Sequence, residues 1–167
     1  VMVDVAPSIF NKLNISYENL SFFKEIGACG VRLDLGFSGN EESIMTFNEY
    51  GLLIEINMSQ DTNYVNTIMD FMPNKEKLVG CHNFYPHRYT GLSREHFRNC
   101  NKRFKSFALT TAAFVTSQTG TFGPWPVNDG LCTLEEHRDL PIEVQGRELF
   151  NEGIDIVIIS NCFPTEE

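Results

Sequence analysis

The sequence predicts an α/β fold in which parallel strands alternate with helices. Apolar runs recur along the 167 residues, at 1–5, 30–35, 52–58, 78–84, 108–115 and 154–160. Several are too continuous for a sheet with one wet face and are typical of buried parallel strands. Segments with helical spacing of apolar residues lie between them, at 8–26, 63–72, 94–107 and 134–152. This alternation indicates successive βα units in one domain.

Composition limits the class of protein and its partners. A hydrophobic content of 42%, with 14 Phe, is enough for a sizeable core. The net charge of −9 disfavours a nucleic-acid binder, because affinity for phosphate backbones depends on clustered cations. Five Cys without a CxxC pair favour a reducing compartment, and no apolar stretch reaches the 18 residues of a membrane span. We therefore expect a soluble cytoplasmic protein that binds neither nucleic acid nor membrane.

Polar and Gly-rich segments follow the predicted strands, at 36–39, 57–60, 83–88 and 117–120. In parallel α/β folds the functional site lies at this edge, where the βα loops converge. No GxGxxG or GxxxxGK[ST] motif follows any strand, so a nucleotide-binding sheet is disfavoured and a barrel is favoured.

Two carboxylates stand in apolar runs from which charge is normally excluded. Asp34 lies in Val-Arg-Leu-Asp-Leu-Gly-Phe (31–37) and Glu55 in Leu-Leu-Ile-Glu-Ile-Asn (52–57). Alternation along a strand places Arg32 with Asp34, and Glu55 with Asn57, on one face. If both acids face a barrel interior, they form the pair that glycosidic bond cleavage requires. The alternative is that each acid is merely paired to a neighbouring cation such as Arg32.

Further substrate-binding candidates surround this pair. Asp4 shares a face with Met2 and is either a third acid or a turn residue before Pro7. His82, Asn83, Tyr85 and Arg88 lie in a segment rich in hydrogen-bonding and stacking groups, which suits a sugar, although a strand histidine is more often a core residue.

The later part of the chain adds Gln118, at the end of the 108–115 strand, as a binding candidate. The Gly- and Pro-containing loop that follows holds the single Trp, Trp125, which either forms part of a lid or packs over the barrel rim. Arg94 and Arg98, at i and i+4, either present cations to a phosphate or form a solvated helix face.

Two other functions stay open at this point. One is a metal-dependent isomerase or lyase with Asp34, Glu55 and His82 as ligands. The other is a non-catalytic sugar-phosphate binding module. No Lys interrupts a strand, which argues against a Schiff-base aldolase.

Several segments together resemble the 6-phospho-N-acetylmuramidase family of bacteria. They are Val-Arg-Leu-Asp-Leu-Gly-Phe-Ser-Gly (31–39), Glu-Ile-Asn-Met-Ser (55–59), Cys-His-Asn-Phe-Tyr-Pro (81–86), Arg-Tyr-Thr-Gly-Leu-Ser (88–93), Ala-Ala-Phe-Val (112–115) with Ser117 and Gln118, and Leu-Glu-Glu-His-Arg-Asp-Leu-Pro (134–141).

The resemblance implies a cytoplasmic glycoside hydrolase that cleaves a 6-phospho-N-acetylmuramyl-N-acetylglucosamine disaccharide in cell-wall recycling, without metal or organic cofactor. It also implies a (β/α)8 TIM barrel followed by a cyclophilin-like domain. We expect residues 1–167 to be an incomplete barrel of about six βα units, from the third strand to the eighth, with the first two strands and the trailing domain absent.

Overall fold

The computed structural model describes residues 1–165 and contains one parallel sheet; the last two residues of the predicted domain, 1–167, lie outside the described residues. In the described part the sheet has six strands, in the order β1-β2-β3-β4-β5-β6. They are β1 Met2–Asp4, β2 Gly30–Leu33, β3 Leu53–Asn57, β4 Leu78–Cys81, β5 Thr110–Val115 and β6 Ile156–Ile159. The sheet curls into a half-barrel, which confirms the predicted α/β class.

Helices connect the strands. Over the described residues they are α1 Pro7–Leu13, α2 Ser21–Glu25, α3 Asn40–Met45, α4 Tyr64–Asp70, α5 Arg94–Ser106 and α6 Ile142–Asn151, with 3-10 turns at Lys75–Lys77 and Glu135–His137. The longest, α5, begins after Ser93, whose hydroxyl accepts a hydrogen bond from the His96 backbone N–H.

Two of the predicted helices are interrupted. The segment 8–26 forms α1 and α2, because Asn14 adopts a left-handed conformation (φ 54°) that ends α1. The segment 134–152 forms a 3-10 turn and then α6, because Pro141 has no N–H to continue the turn.

Helix α3 was not predicted, because only six residues form it. It follows Gly39, which takes φ +107°, a conformation that side chains other than glycine rarely adopt. The buried Glu42 carboxylate accepts hydrogen bonds from the Gly39 N–H at 2.7 Å, from the Phe37 N–H and from the Tyr64 hydroxyl. These contacts fix the loop that follows β2.

The two faces of the sheet differ in chemistry. The face under the helices is apolar, and its core includes Val31, Ile54, Ile56, Leu78 and Val115, all at most 1% exposed. The opposite, concave face carries polar side chains on adjacent strands, since Arg32 on β2 lies directly beside Glu55 on β3. Alternation along the strands therefore directs one set of side chains into the core and the other into the half-barrel.

The described helices include none that is long and apolar enough to cross a membrane.

Candidate active site

A cleft of about 360 Å³ opens at the carboxyl ends of the strands, on the concave face of the sheet. One half of its lining is polar and consists of Asp4, Arg32, Asp34 and Asn83. The other half is apolar and consists of Phe84, Pro86, Phe114 and Trp125. The polar half comes mainly from β1 and β2, and the apolar half from the loop after β4, from β5 and from the loop after β5. Curling of the sheet brings the two halves together.

Arg32 is the centre of the polar half. Its Nη1 donates to Glu55 Oε1 at 2.6 Å, and its Nη2 donates to Asn83 Oδ1. Its Nε lies 3.7 Å from Asp4 Oδ2, and Nη2 lies 3.7 Å from Asp34 Oδ1. Burial acts to lower the pKa of Arg32, but its anionic neighbours outweigh burial and the pKa is raised. Arg32 is therefore a permanent cation beneath the cleft.

The two predicted catalytic acids occupy different depths. Glu55 lies in the middle of β3, its side chain is only 7% exposed, and it pairs with Arg32 without lining the cleft itself. Asp34 follows the last residue of β2, and its side chain is 46% exposed. Asp34 Oδ1 accepts a hydrogen bond from Asn57 Nδ2 at 3.1 Å. The structure thus brings the two acids into one cluster, with Asp34 at the cleft and Glu55 below it.

Asp4 ends β1 and lines the cleft beside Arg32. Partial burial raises the pKa of Asp4; Arg32 opposes this effect, and the Asp34 and Glu55 carboxylates add to it. Of the acids around Arg32, Asp4 and Asp34 line the cleft itself.

Ser59, two residues after β3, connects the side chains that contact Arg32 and Asp34. Its N–H donates to Asn57 Oδ1 at 2.8 Å, which leaves the Asn57 amide NH2 group to face Asp34. Its hydroxyl accepts from the Asn83 N–H at 2.7 Å and lies 3.3 Å from His82 Nδ1. Sequence reasoning did not single out Ser59, since a serine two residues after a strand is common in loops.

His82 does not line the cleft, and its predicted part in substrate binding stays a prediction. It is fully buried on the helix-facing side, stacks on Phe97 with ring centroids 4.6 Å apart, and its Nε2 lies 2.9 Å from Asn101 Oδ1. Burial lowers the pKa of His82 to about 4. Because its side chain points away from Asp34 and Glu55, these three cannot ligate one ion, and the alternative metal site loses its ligand set.

Arg88 and Gln118 also do not line the cleft, and their part in substrate binding stays a prediction. Arg88 donates two hydrogen bonds to Asp139, at 2.7 and 2.8 Å. Gln118 Nε2 donates to the carbonyl groups of Arg138 and Leu140. Each side chain ties loops to one another at the same end of the sheet.

Tyr85 lies next to the cleft lining and is half-buried. Burial raises the pKa of its hydroxyl, the nearby Ser59 hydroxyl opposes this effect, and Asp34 adds to it. Its main chain pairs with Cys132, which fixes the loop after β4.

Arg94 and Arg98 form the solvated helix face. Arg94 pairs with Glu136, Glu148 and Glu152, and Arg98 pairs with Glu152. These ion pairs join α5 to α6 and leave the cleft without either cation.

The apolar half of the cleft was largely missed from the sequence. The sequence predicts Trp125 at the barrel rim or in a lid, but it carries no comparable signal for Phe84, Pro86 and Phe114. A weaker signal for Phe114 was the alternation on β5, where Ala112 and Phe114 share a face with the cleft while Ala113 and Val115 face the core.

Comparisons with known proteins place the chain in a family. The 6-phospho-N-acetylmuramidase N-terminal family model matches residues 1–167. A crystal structure of an uncharacterized B. cereus protein is 52% identical, with a TM-score of 0.89. A crystal structure of a conserved Enterococcus faecalis protein with an unknown function is 25% identical, with a TM-score of 0.82.

Each of these alignments covers 99% of this chain and 46% of the solved chain, so the sequence spans about half the length of either structure. No protein with curated annotation matches it significantly. The family match over all 167 residues shows that this chain belongs to the 6-phospho-N-acetylmuramidase family, by its N-terminal region.

Proposed function

We propose that this chain carries acid residues of a glycoside hydrolase that cleaves a 6-phospho-N-acetylmuramyl-N-acetylglucosamine disaccharide during cell-wall recycling in the cytoplasm. The observation that supports this proposal is the cluster of carboxylates around Arg32 at the carboxyl ends of β1, β2 and β3. Family membership supplies the substrate class.

Hydrolysis of a glycosidic bond needs one carboxyl that protonates the leaving oxygen and one carboxylate that attacks the anomeric carbon or activates water. We assign the second role to Asp34, because it lines the cleft and its Oδ1 is positioned by the Asn57 amide at 3.1 Å and lies 3.7 Å from Arg32 Nη2. We assign the proton donor to Asp4, because a raised pKa keeps a carboxyl protonated to higher pH.

Glu55, predicted as the second catalytic acid, has a different role in this proposal. It is buried beneath Arg32 and holds the guanidinium in place. Asn57 and Asn83 orient Asp34 and Arg32, and Tyr85 supports the adjoining loop.

Amide substitutions test these roles on the intact protein. Asp34→Asn and Asp4→Asn are each expected to lower kcat by at least 100-fold, while binding of the disaccharide persists. Asp61→Asn, which removes a surface acid paired with Arg103, is the control and should leave kcat unchanged. Release of N-acetylglucosamine from the synthetic disaccharide is the measurement. Near-normal turnover in both cleft variants would eliminate the assignment.

Glu55→Gln separates the two readings of the buried acid. If Glu55 acts through Arg32, this variant retains the pH dependence of the wild type with reduced kcat, whereas loss of one limb of the pH profile would make Glu55 a proton-transfer group. Binding of the disaccharide without any release of product by the wild type would instead indicate a non-catalytic phosphosugar binder.

We also propose that residues 1–167 are part of a (β/α)8 barrel that further strands complete, in a protein with a second, cyclophilin-like domain. The support is the open half-barrel of six parallel strands within the described residues, and the 46% coverage of both solved chains.

A further inference from the structure

The apolar half of the cleft takes no part in the acid chemistry proposed above. Phe84 and Phe114 pack edge to face, with ring centroids 5.4 Å apart, so each ring fixes the other. Trp125 lies on the loop after β5, lines the same cleft and is 56% exposed. Phe84 and Phe114 are themselves half-buried. A cleft with converging polar groups on one side and aromatic rings on the other is typical of a site for an amphipathic ligand.

Charge limits which ligand this is. Among the described residues that line the cleft, Arg32 is the only cation, and Glu55, Asp4 and Asp34 already surround it. A phosphate placed here would lie close to several carboxylates, and like charges at such distances repel. An uncharged sugar ring, with an apolar C–H face and hydroxyl groups at its rim, suits both halves of the cleft.

We propose that Trp125, supported by Phe84 and Phe114, is a stacking site for the uncharged N-acetylglucosamine ring of the disaccharide. This inference rests on the proposed glycosidase function and specifies it: the neutral sugar lies on the aromatic side of the cleft, and the phosphate of the other sugar lies away from it.

Fluorescence of Trp125 provides a test that needs no turnover. Its signal is the difference between the wild type and Trp125→Phe, and it is titrated with N-acetylglucosamine and with N-acetylglucosamine 6-phosphate. We expect saturable quenching by the neutral sugar and at least tenfold weaker binding of the phosphorylated sugar. Absence of quenching by the neutral sugar, or equal or tighter binding of the phosphorylated one, would overturn the proposal.

Kinetics on the intact protein provide the second test. Trp125→Ala should raise KM for the disaccharide about tenfold, the effect of losing one aromatic stacking contact. It should leave kcat/KM for the methyl glycoside of 6-phospho-N-acetylmuramic acid, which lacks the second sugar, near the wild-type value. Trp125→Phe should retain most of the affinity for the disaccharide.

Phe122→Ala is the matched control, because Phe122 is an exposed aromatic on the same loop that does not line the cleft. It should leave both substrates unaffected. Equal losses for both substrates in Trp125→Ala would overturn the stacking site. If the wild type cleaves neither substrate, the glycosidase proposal fails, and the fluorescence titration alone decides the sugar site.

Discussion

Arg32 contacts acidic side chains from three neighbouring strands, at the ends of β1 and β2 and in the middle of β3. It pairs with the buried Glu55 at 2.6 Å and lies 3.7 Å from both Asp4 and Asp34. A buried ion pair adds little net stability over a well-packed apolar pair, because desolvation of both charges offsets their attraction. The retention of charge in the middle of β2 and β3 is therefore better explained by the site than by the fold.

Replacement of one or both members of this pair separates stability from function. Arg32→Met leaves Glu55 buried without its partner and should lower the free energy of unfolding by about 3–5 kcal/mol. The double variant Arg32→Met, Glu55→Met should recover most of that lost stability. Neither the single nor the double variant should cleave the disaccharide. Urea unfolding and disaccharide cleavage are the measurements. A single variant that loses less than about 1 kcal/mol would contradict the buried-pair account.

Ser59 offers a second test at the scale of one residue. Ser59→Ala removes the acceptor for the Asn83 N–H, and Ser43→Ala removes the equally buried hydroxyl that donates to the Phe71 carbonyl far from the cleft. We expect both variants to lose about 1–3 kcal/mol of stability. Only Ser59→Ala should lower kcat and change the pH profile of cleavage, because only Ser59 orients the neighbours of Asp34 and Arg32. Similar kinetics in the two variants would show that Ser59 is merely structural.

At the scale of elements, the contact between β4 and α5 joins the core to the back of the site. His82 follows β4 and inserts between Ser59 and the α5 residues Phe97 and Asn101. Water cannot hydrate a charged imidazole at this buried position, so burial lowers the pKa of His82 from its ordinary value of 6.5 to about 4. The helix therefore packs best against the neutral ring.

This burial gives the stability of the protein a defined pH dependence. His82 binds a proton below about pH 6.5 in the unfolded chain, but only below about pH 4 in the folded protein. The free energy of unfolding is therefore highest above pH 6.5 and decreases as the pH falls from 6.5 to about 4. The expected contribution of His82 at pH 5 is a loss of about 2 kcal/mol. Urea unfolding at pH 7.5 and pH 5 measures it.

His82→Gln should remove this part of the pH dependence, and the exposed His87→Gln should retain it. An unchanged difference between the two pH values in His82→Gln would refute the role assigned to burial.

At the scale of the whole molecule, the described sheet has two open edges. β1 and β6 each pair with one neighbour only, and Ile156 and Ile159 on β6 are partly exposed. Unpaired N–H and C=O groups along an apolar strand are a template for pairing with another chain. In the barrel proposed above, further strands pair with these same edges.

The chain of residues 1–167, expressed alone, is therefore expected to self-associate through these edges. Ile159→Lys places a charge on the β6 edge and should shift the population towards monomer. Phe47→Lys, which removes an exposed apolar side chain away from both edges, should have little effect. Sedimentation velocity over a range of protein concentrations provides the measurement, and equal effects of the two substitutions would point to general hydrophobic association instead.

The sequence by itself determined the order and type of the strands, because short runs rich in β-branched and aliphatic residues, such as 52–58, are typical of buried strands when polar and Gly-rich segments separate them. It was less informative about helices. The helical spacing of apolar residues in 8–26 continues across Asn14, so it does not reveal that the left-handed conformation of Asn14 ends α1 there. Helix α3 has only six residues, too few to show a helical spacing of apolar residues.

The candidate site was predictable as a set of residue types and not as an arrangement. Charge inside an apolar run predicted Asp34 and Glu55 as site residues. Alternation placed Arg32 with Asp34, and Glu55 with Asn57, and the structure has all four side chains in one cluster. Alternation also implied the outward direction of His82, one residue beyond the inward-facing Cys81, but the end of β4 was not fixed from sequence.

Only the tertiary structure decided which side chains meet. The curl of the sheet brings Trp125 and Phe114, which lie about 80 or more residues from Asp34, into the cleft that Asp34 lines. The distance between side chains that are far apart in sequence depends on sheet curvature and loop packing. Local patterns of polarity contain no information about either. Arg88 and Gln118 were predicted near the cleft, but they bind a loop at 138–140 instead. Arg88 donates to Asp139, and Gln118 donates to the Arg138 and Leu140 carbonyls. No local pattern in the sequence places that loop beside them.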